Sequence, residues 1–193
     1  MTAGGGYKDY IKVLHLNVEY TFMENEFIVF DTETTGLYPH LGDAIIEIGA
    51  LRINTKGEYL AEFSKFIHSG IPSHPETVKI HGLTDQFIAK HGQPLRETLS
   101  AFLEFIGDTT LVGHNIRNFD MKFLNRHLTQ IGLPVCENTL IDTLDLARQK
   151  LPHLGSHRLG SLAKEFDIDY SNAHRALADV KINAEVFLRL LMI

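Results

Sequence analysis

The sequence contains a single cysteine, Cys136, among its 193 residues. An internal disulfide is therefore excluded, and so is a zinc site built from several thiolates. The longest apolar runs, such as Phe27–Phe30 and Leu188–Ile193, are far shorter than the roughly 20 residues that cross a bilayer. No charged-then-apolar leader opens the sequence. These absences predict a cytoplasmic protein with no membrane partner, whose interior is held together by packing.

An excess of positive charge is also lacking, because 18 Lys and Arg residues stand against 24 Asp and Glu residues, for a net charge of −6. Proteins that bind nucleic acids usually carry a basic face, so this balance argues at first against a polyanionic partner. The objection weakens if several of the acids surround divalent cations. With 44% hydrophobic residues, the chain is long enough for one globular domain with a real core.

The N-terminal segment, residues 1–24, shows no clear period apart from Ile11–Val18, which could be a short strand or an appendage. It is predicted to be an extension of unknown role before a domain at residues 25–193. Five strands are predicted in that domain: Phe27–Asp31, Ala44–Ile53, Tyr59–Ile67, Thr110–Gly113 and Thr139–Asp142.

Helical patterns begin after the third predicted strand. The clearest are Glu76–Ile80, Leu95–Ile106, a helix whose apolar positions run from Phe119 to Ile131, and a closing helix from about Arg175. The first three strands are joined by short links and predict an antiparallel meander. A meander followed by alternating strands and helices predicts a mixed α/β domain with three layers and a five-stranded sheet.

Two carboxylates follow the first apolar strand. Asp31 and Glu33 stand two residues apart, and the two-residue period of a strand places both on one face, with Thr32 on the other. Neighbouring acids at the end of a buried strand repel each other and lose hydration, so the arrangement requires a proton or a cation. A cation is the favoured interpretation. The alternative is a polar turn before Gly36.

A third acid, Asp120, lies in the first turn of the helix that follows the strand ending at Gly113. An acid at this position is favoured by the helix dipole, so a purely structural role is the alternative.

The closing helix supplies a fourth acid, Asp179, one position away from its apolar stripe and therefore at the edge of the interface with the sheet. His174 precedes Asp179 by five residues. It is predicted to lie just before the helix, with Ser171 or Asn172 near the cap. A surface or capping role is the alternative for this histidine.

These segments together resemble the DEDDh family of 3′-to-5′ exonucleases, among them the epsilon-type proofreading exonucleases of bacterial DNA polymerase III. The resemblance covers about Phe27–Leu191. Its motifs are Phe30–Leu37, Val112–Asn115 with Phe119 and Asp120, and His174–Asp179. The resemblance implies a ribonuclease-H-like fold.

The resemblance further implies that Asp31, Glu33, Asp120 and Asp179 bind two divalent cations, Mg²⁺ or Mn²⁺, and that His174 is the general base. Carboxylate oxygens suit such hard cations, and a pair of ions can hold the attacking and leaving oxygens of a displacement at phosphorus. An imidazole titrates near neutral pH, which suits proton removal from water.

Contacts with the terminal nucleotide are implied as well. Glu76 and His81 belong to this set, although Glu76 could equally be an acid of a first helical turn. Leu37 would be an apolar wedge against the last base, and such a wedge reads no sequence. The other implied contacts are Thr34, Thr35, Gly36, Asn115 and Phe119.

Basic residues near these motifs are candidates for phosphate contacts, with ordinary solvated charges as the alternative. They are Arg117, Lys122, Arg158 and Lys164. The pair His153 and His157 has a spacing that can bind a metal on a helix, but Pro152 and Gly155 indicate a loop, and no third ligand is near in sequence.

The sequence therefore predicts a metal-dependent exonuclease that hydrolyses DNA from the 3′ end, releases nucleoside 5′-monophosphates and serves proofreading or repair. Its expected partners are the 3′ end of single-stranded or frayed DNA and, in proofreading, a DNA polymerase catalytic subunit. An RNA-trimming exoribonuclease of the same family would carry the same residues and stays an alternative. A non-catalytic module that binds a replication partner is the second alternative, disfavoured because clustered acids without a ligand destabilise a fold.

Overall fold

The computed structural model describes residues 26–193, and the predicted extension at residues 1–24 lies outside them. In the described part, six strands form one sheet. The strands are β1 (Glu26–Thr34), β2 (Ile45–Asn54), β3 (Tyr59–His68), β4 (Gln93–Pro94), β5 (Leu111–Gly113) and β6 (Leu140–Asp142).

The helices of residues 26–193 are mostly short, and a single 3-10 turn at Pro39–Leu41 lies between β1 and β2. They are α1 (Pro75–His81), α2 (Asp85–His91), α3 (Leu95–Ile106), α4 (Asp120–Gln130), α5 (Thr143–Lys150), α6 (Leu159–Glu165) and α7 (Ala176–Leu191). No helix in this part of the chain is both long enough and apolar enough to cross a membrane.

The strand order is β4-β3-β2-β1-β5-β6. The predicted meander is confirmed, since β1 pairs antiparallel with β2 and β2 pairs antiparallel with β3. Both β5 and β6 are parallel to β1. The prediction of five strands was wrong by one, because β4 adds two residues that pair in parallel with Ile67 and His68. A two-residue strand is too short to produce a periodic pattern.

Side chains of β1 alternate between two cores. Ile28 and Phe30 belong to a core shared with α3 and α4, where the Phe30 ring lies 5.4 Å from the Phe102 ring. Phe27 and Val29 belong to the core under α5, α6 and α7, where the ring of Phe27 meets that of Phe187 edge-on at 5.2 Å. Burying each such side chain contributes about 1.5–3 kcal/mol. The sheet is thus the middle one of three layers.

The closing helix α7 crosses the sheet close to β2. A Cβ atom at Gly49 would lie only 2.6 Å from the Leu177 backbone nitrogen, so a residue without a side chain is required for this approach. Gly49 is the register partner of Asp31 on β1. The beginning of α7 is therefore held directly over the end of β1 that carries the predicted acids.

Candidate active site

Three of the predicted acids converge at the end of β1. Asp31 and Glu33 continue the face of β1 that begins with Phe27 and Val29, and this face lies under α7. Asp179 comes from the first turn of α7 and is buried. One oxygen from each of the three carboxylates lies within 4.8 Å of the others. The two-residue period of the strand and the close approach at Gly49 together produce this cluster.

The fourth acid, Asp120, is bonded to Thr32, the residue of β1 between Asp31 and Glu33. It is the first residue of α4 and is almost completely buried. Its Oδ1 accepts hydrogen bonds from the Thr32 backbone N–H at 3.1 Å and from the Thr32 hydroxyl at 2.7 Å. Because Thr32 lies between Asp31 and Glu33, these bonds hold the beginning of α4 next to the cluster. The predicted place of Asp120 in a first helical turn is confirmed.

His174 lies in the loop before α7, separated from the helix by Arg175 at the cap. Its backbone N–H donates to Asp179 Oδ2 at 3.0 Å, which gives the five-residue spacing a local structural reason. The prediction of a cap near Ser171 or Asn172 was wrong. Ser171 instead bonds back to the Asp169 carboxylate through its N–H at 2.9 Å and its hydroxyl at 3.1 Å. His174 adopts a φ of 70°, and its side chain is exposed.

Burial raises the pKa of all four acids. For Asp31 the pKa lies well above its ordinary range, because burial is reinforced by the neighbouring charges of Asp120 and Glu33. Burial, followed by Asp179 and Glu47, raises the pKa of Glu33 to about 8. Burial raises the pKa of Asp120 to about 7 although the Thr32 hydrogen bonds oppose this shift. Without a cation, the cluster therefore favours bound protons.

The donor set suits a divalent cation better than it suits protons alone. The four acids offer carboxylate oxygens, and hard cations prefer such ligands. Asp179 Oδ1 is buried and has no hydrogen-bond partner among residues 26–193, whereas Oδ2 accepts from His174. Leaving a buried acceptor unpaired costs about 1–3 kcal/mol, so this oxygen is positioned for a ligand. The residues present therefore fit a metal ion.

Removal of divalent ions is expected to make stability depend on pH in an unusual direction. The pKa of Glu33 is raised in the folded protein, from an ordinary 4.5 to about 8. Between these values the folded state binds more protons than the unfolded state, so its stability falls as pH rises through this window. Thermal unfolding in EDTA should give a lower midpoint at pH 8 than at pH 5.5, and Mn²⁺ should raise the midpoint more at pH 8.

The matched variant for this measurement is Glu33→Gln, which cannot ionise. Its midpoint in EDTA should vary less between pH 5.5 and pH 8. Equal midpoints at both pH values for the unaltered protein would show that the raised pKa of Glu33 does not govern stability.

A fifth acid, Glu47, was missed in the sequence. It is the register partner of Glu33 on β2 and is 1% exposed. Arg175 neutralises it with two hydrogen bonds of 3.1 and 3.2 Å, and the guanidinium lies over the Phe66 ring at 5.3 Å. Glu47 also accepts from the first N–H of α7, that of Ala176, at 3.3 Å. The signal was a lone charge within an apolar strand, which requires a nearby cation.

Arg175→Ala is expected to lower the free energy of unfolding by about 3 kcal/mol, the lower end of the range for breaking a buried ion pair. The low end applies because the Arg175 side chain is 45% exposed. Stability is lost because the charge of Glu47 would remain buried beside Glu33 without its cationic partner. Urea denaturation in EDTA measures it. Arg189→Ala, at an exposed site, is the control, and a loss as small as the control's would contradict the assigned pairing.

Tyr170 is a second neighbour that the sequence did not reveal. The charges of Asp179, Asp31 and Glu33 add to burial in raising its pKa, which places the phenol close to the cluster. Its ring lies 6.1 Å from the His174 ring in an edge-on arrangement. A Cβ atom at Gly160 would approach the Tyr170 ring to 3.0 Å, so α6 supports this aromatic side chain from behind.

The segment after the acids is held by internal hydrogen bonds. The Thr34 hydroxyl donates to the Gly36 carbonyl at 2.6 Å, and the Thr35 hydroxyl accepts from the Ala44 N–H at 2.9 Å. Gly36 has no room for a side chain, because a Cβ atom would lie 2.3 Å from the Asp43 carboxylate. Leu37 follows with 57% of its surface exposed. Thus the two threonines are directed inward, and Leu37 is the predicted contact of this segment that faces outward.

The two contacts predicted on α1 differ in their surroundings. His81 is buried, its Nδ1 accepts from the Leu83 N–H at 3.0 Å, and burial lowers its pKa. Glu76 is exposed and pairs with Lys79 at 2.8 Å, one turn further along the helix. The alternative of a first-turn helix acid accounts for this geometry of Glu76.

The remaining predicted contacts belong to the loop that leads into α4. Asn115 is half-buried with a φ of 61°, and its N–H donates to Asp142 Oδ1 at 2.9 Å. Phe119 occupies the N-cap position of α4, and its ring packs against Phe123 at 5.1 Å. Because the Phe119 N–H also bonds to the Asn115 carbonyl at 3.1 Å, this loop forms a compact support for Asp120.

Comparison with known proteins agrees with this geometry. The family model described as Exonuclease (RNase_T) matches residues 28–187. DNA polymerase III of the PolC type from Caldanaerobacter subterraneus subsp. tengcongensis is 40% identical over 169 residues, which cover 88% of this chain and 12% of the relative. The corresponding polymerase of Listeria monocytogenes is 40% identical over 158 residues, covering 82% and 11%. The chain therefore spans about an eighth of the length of these relatives.

Solved structures show the same architecture. Exonuclease I of E. coli, in complex with a dA16 oligonucleotide, superposes with a TM-score of 0.77 at 22% identity over 88% of this chain and 42% of that one. Exonuclease I from Methylocaldum szegediense gives a TM-score of 0.74 at 23% identity, covering 86% and 40%. These likenesses confirm the predicted three-layer α/β fold. Since the family model extends from β1 to α7 and includes all four acids, the chain belongs to the exonuclease (RNase_T) family.

Proposed function

We propose that this domain hydrolyses the last phosphodiester bond at the 3′ end of a DNA strand and releases nucleoside 5′-monophosphates. The observation that carries the proposal is the cluster of Asp31, Glu33 and Asp179, with oxygens within 4.8 Å of one another. Membership of an exonuclease family supports hydrolysis of phosphodiesters as the chemistry of this cluster.

In the proposed site, Asp31, Glu33, Asp120 and Asp179 would hold two divalent cations, Mg²⁺ or Mn²⁺. Such ions, when bound, acidify a water molecule and stabilise negative charge on phosphate oxygens. His174 would accept the proton of the attacking water. The water oxygen becomes bonded to phosphorus, the bond from phosphorus to the 3′ oxygen of the preceding nucleotide breaks, and that oxygen gains a proton.

The polymerase relatives support proofreading as the biological setting. They are named as DNA polymerase III of the PolC type, and this chain matches a part of each. We therefore propose a frayed 3′ end as the substrate and a DNA polymerase catalytic subunit as the partner. The exposed Leu37 beside the acids would contact the last base without reading its identity.

The test uses strands labelled at the 5′ end, incubated with Mg²⁺, Mn²⁺ or EDTA. Stepwise shortening from the 3′ end, with nucleoside 5′-monophosphates identified by chromatography, is expected only with the metals. Faster shortening of a mismatched 3′ end than of a paired end would support proofreading, and preference for RNA would support the exoribonuclease alternative. A folded protein that is inert with both metals would favour a non-catalytic binding module.

A further inference from the structure

A groove of about 460 Å³ opens between α5 and the loop at residues 151–158. Its polar and charged lining residues are His114, Asn115, Arg148, Ser156, His157 and Arg158. Within residues 26–193, no carboxylate lines the groove, although the whole chain carries a net charge of −6. The groove therefore presents two guanidinium groups on an acidic protein, and such groups attract anions.

The two arginines differ in how far they are already neutralised. Arg148 has Asp145 at 3.5 Å, one turn earlier on α5, and both side chains are more than half exposed. Exposed pairs of this kind are weak and can be exchanged for another anion. Arg158 is exposed and forms no ion pair within residues 26–193. Its guanidinium is therefore the stronger candidate for an anion contact.

The base of the groove is built as a fixed surface. The His114 ring bonds to the Thr143 hydroxyl at 3.1 Å, and this hydroxyl donates to Asn183 of α7 at 2.7 Å. Burial lowers the pKa of His114 to about 4, so its ring is a neutral part of the support. The loop is tied by a 2.8 Å bond between His157 Nε2 and the Leu151 carbonyl. A surface that is ordered before binding loses little entropy when a ligand arrives.

The groove is connected to the segments that carry Asp120 and Asp179. Asn115 lines it and also begins the loop that supports Asp120. On the other side, Asn183 lies one helical turn after Asp179 on α7 and reaches the base of the groove through Thr143. A strand whose last phosphodiester reaches the acids can therefore continue into this groove.

We infer that the groove binds phosphates of a single nucleic-acid strand upstream of its 3′-terminal nucleotide, with Arg158 as the principal contact and Arg148 as the second. A guanidinium group can donate two parallel hydrogen bonds to the oxygens of one phosphate. Such contacts position a strand without distinguishing its bases. Among residues 26–193, no Phe, Tyr or Trp on which a base could stack lines the groove, so the backbone is the part of the strand that it fits. This inference rests on the proposed exonuclease function.

The test compares Arg158→Ala and Arg148→Ala with Arg189→Ala, an equal loss of charge near the far end of α7. Two substrates are used with Mn²⁺, a 12-nucleotide single strand and the p-nitrophenyl ester of thymidine 5′-monophosphate, which has no upstream phosphate. Arg158→Ala should raise KM for the strand about tenfold, leave hydrolysis of the ester unchanged, and reduce the slope of log KM against log salt by about 0.7, the value for one phosphate contact on a single strand. Arg148→Ala should show a smaller effect of the same kind.

An Arg158→Ala protein with an unchanged KM for the strand would overturn the inference, and so would an equal loss on both substrates. Binding of a fluorescent 12-nucleotide strand in EDTA is measured in parallel. If the unaltered protein hydrolyses neither substrate, the proposed function fails, and weaker strand binding by Arg158→Ala than by Arg189→Ala still supports the groove. Equal binding of the strand and of thymidine 5′-monophosphate would show a mononucleotide site instead.

Discussion

Asp31→Asn is expected to lower turnover about a thousandfold or more and, at the same time, to raise the unfolding temperature of the metal-free protein. The loss follows because a bound divalent ion contributes several kcal/mol to the transition state, and about 1.4 kcal/mol corresponds to a factor of ten in rate. The gain follows because the charges of Asp120, Glu33 and Asp179 surround the buried Asp31 carboxylate and oppose its ionisation. An amide of nearly the same shape removes that repulsion.

Turnover on a labelled strand and thermal unfolding in EDTA at pH 8 measure the two effects. Asp108→Asn, which alters an exposed acid in the turn before β5, is the matched control and should change neither quantity. If Asp31→Asn kept its activity, Asp31 would not be a ligand. If it lost activity and stability together, the defect would be one of folding, and the assignment of the cluster would have to be reconsidered.

His174→Asn is expected to reduce kcat by about 10²–10⁴, the usual contribution of a general base, with little change in unfolding temperature. Stability should be retained because the His174 side chain is exposed and its φ of 70° is one that Asn tolerates. Single-turnover hydrolysis with saturating Mn²⁺ measures the chemical step. The backbone N–H that donates to Asp179 is preserved in this variant.

Two further variants distinguish the effect of the His174 side chain on activity from the effect of its backbone conformation on stability. His174→Ala should lose as much activity and about 1 kcal/mol of stability in addition, since a left-handed conformation is unfavourable for Ala. His153→Asn, at an exposed loop histidine, should behave as the unaltered protein. A kcat for His174→Asn within a factor of about three of the control would show that another group removes the proton.

The longer elements of the fold were predictable because their patterns are local. The predicted helix Leu95–Ile106 has the same bounds in the structure, and the third predicted strand, Tyr59–Ile67, is only one residue shorter than β3. The short elements were not predictable in this way. β4 exists because its residues meet the end of β3, and a pairing between distant residues leaves no periodic trace in two positions.

The candidate site was predictable to a similar extent. Strand period alone placed Asp31 and Glu33 on one face, and helix position placed Asp120 correctly. What escaped prediction depends on tertiary neighbours. Thr32 was expected on the face of β1 opposite Asp31 and Glu33, but nothing in the spacing indicated that its hydroxyl donates to Asp120. The pairing of Glu47 with Arg175 joins residues 128 positions apart, which spacing rules cannot connect.

The closing helix α7 both carries an acid of the candidate site and packs on a core far from that site. At a rise of about 1.5 Å per residue, its 16 residues extend about 24 Å, from Asp179 near one end to Phe187, packed on Phe27, towards the other. A shift of about 1 Å at a reacting group can cost about a hundredfold in rate. If α7 loosens over the core that contains Phe27 and Phe187, Asp179 should therefore shift and the rate of hydrolysis should fall. Loss of activity on heating should then coincide with the first melting of that core.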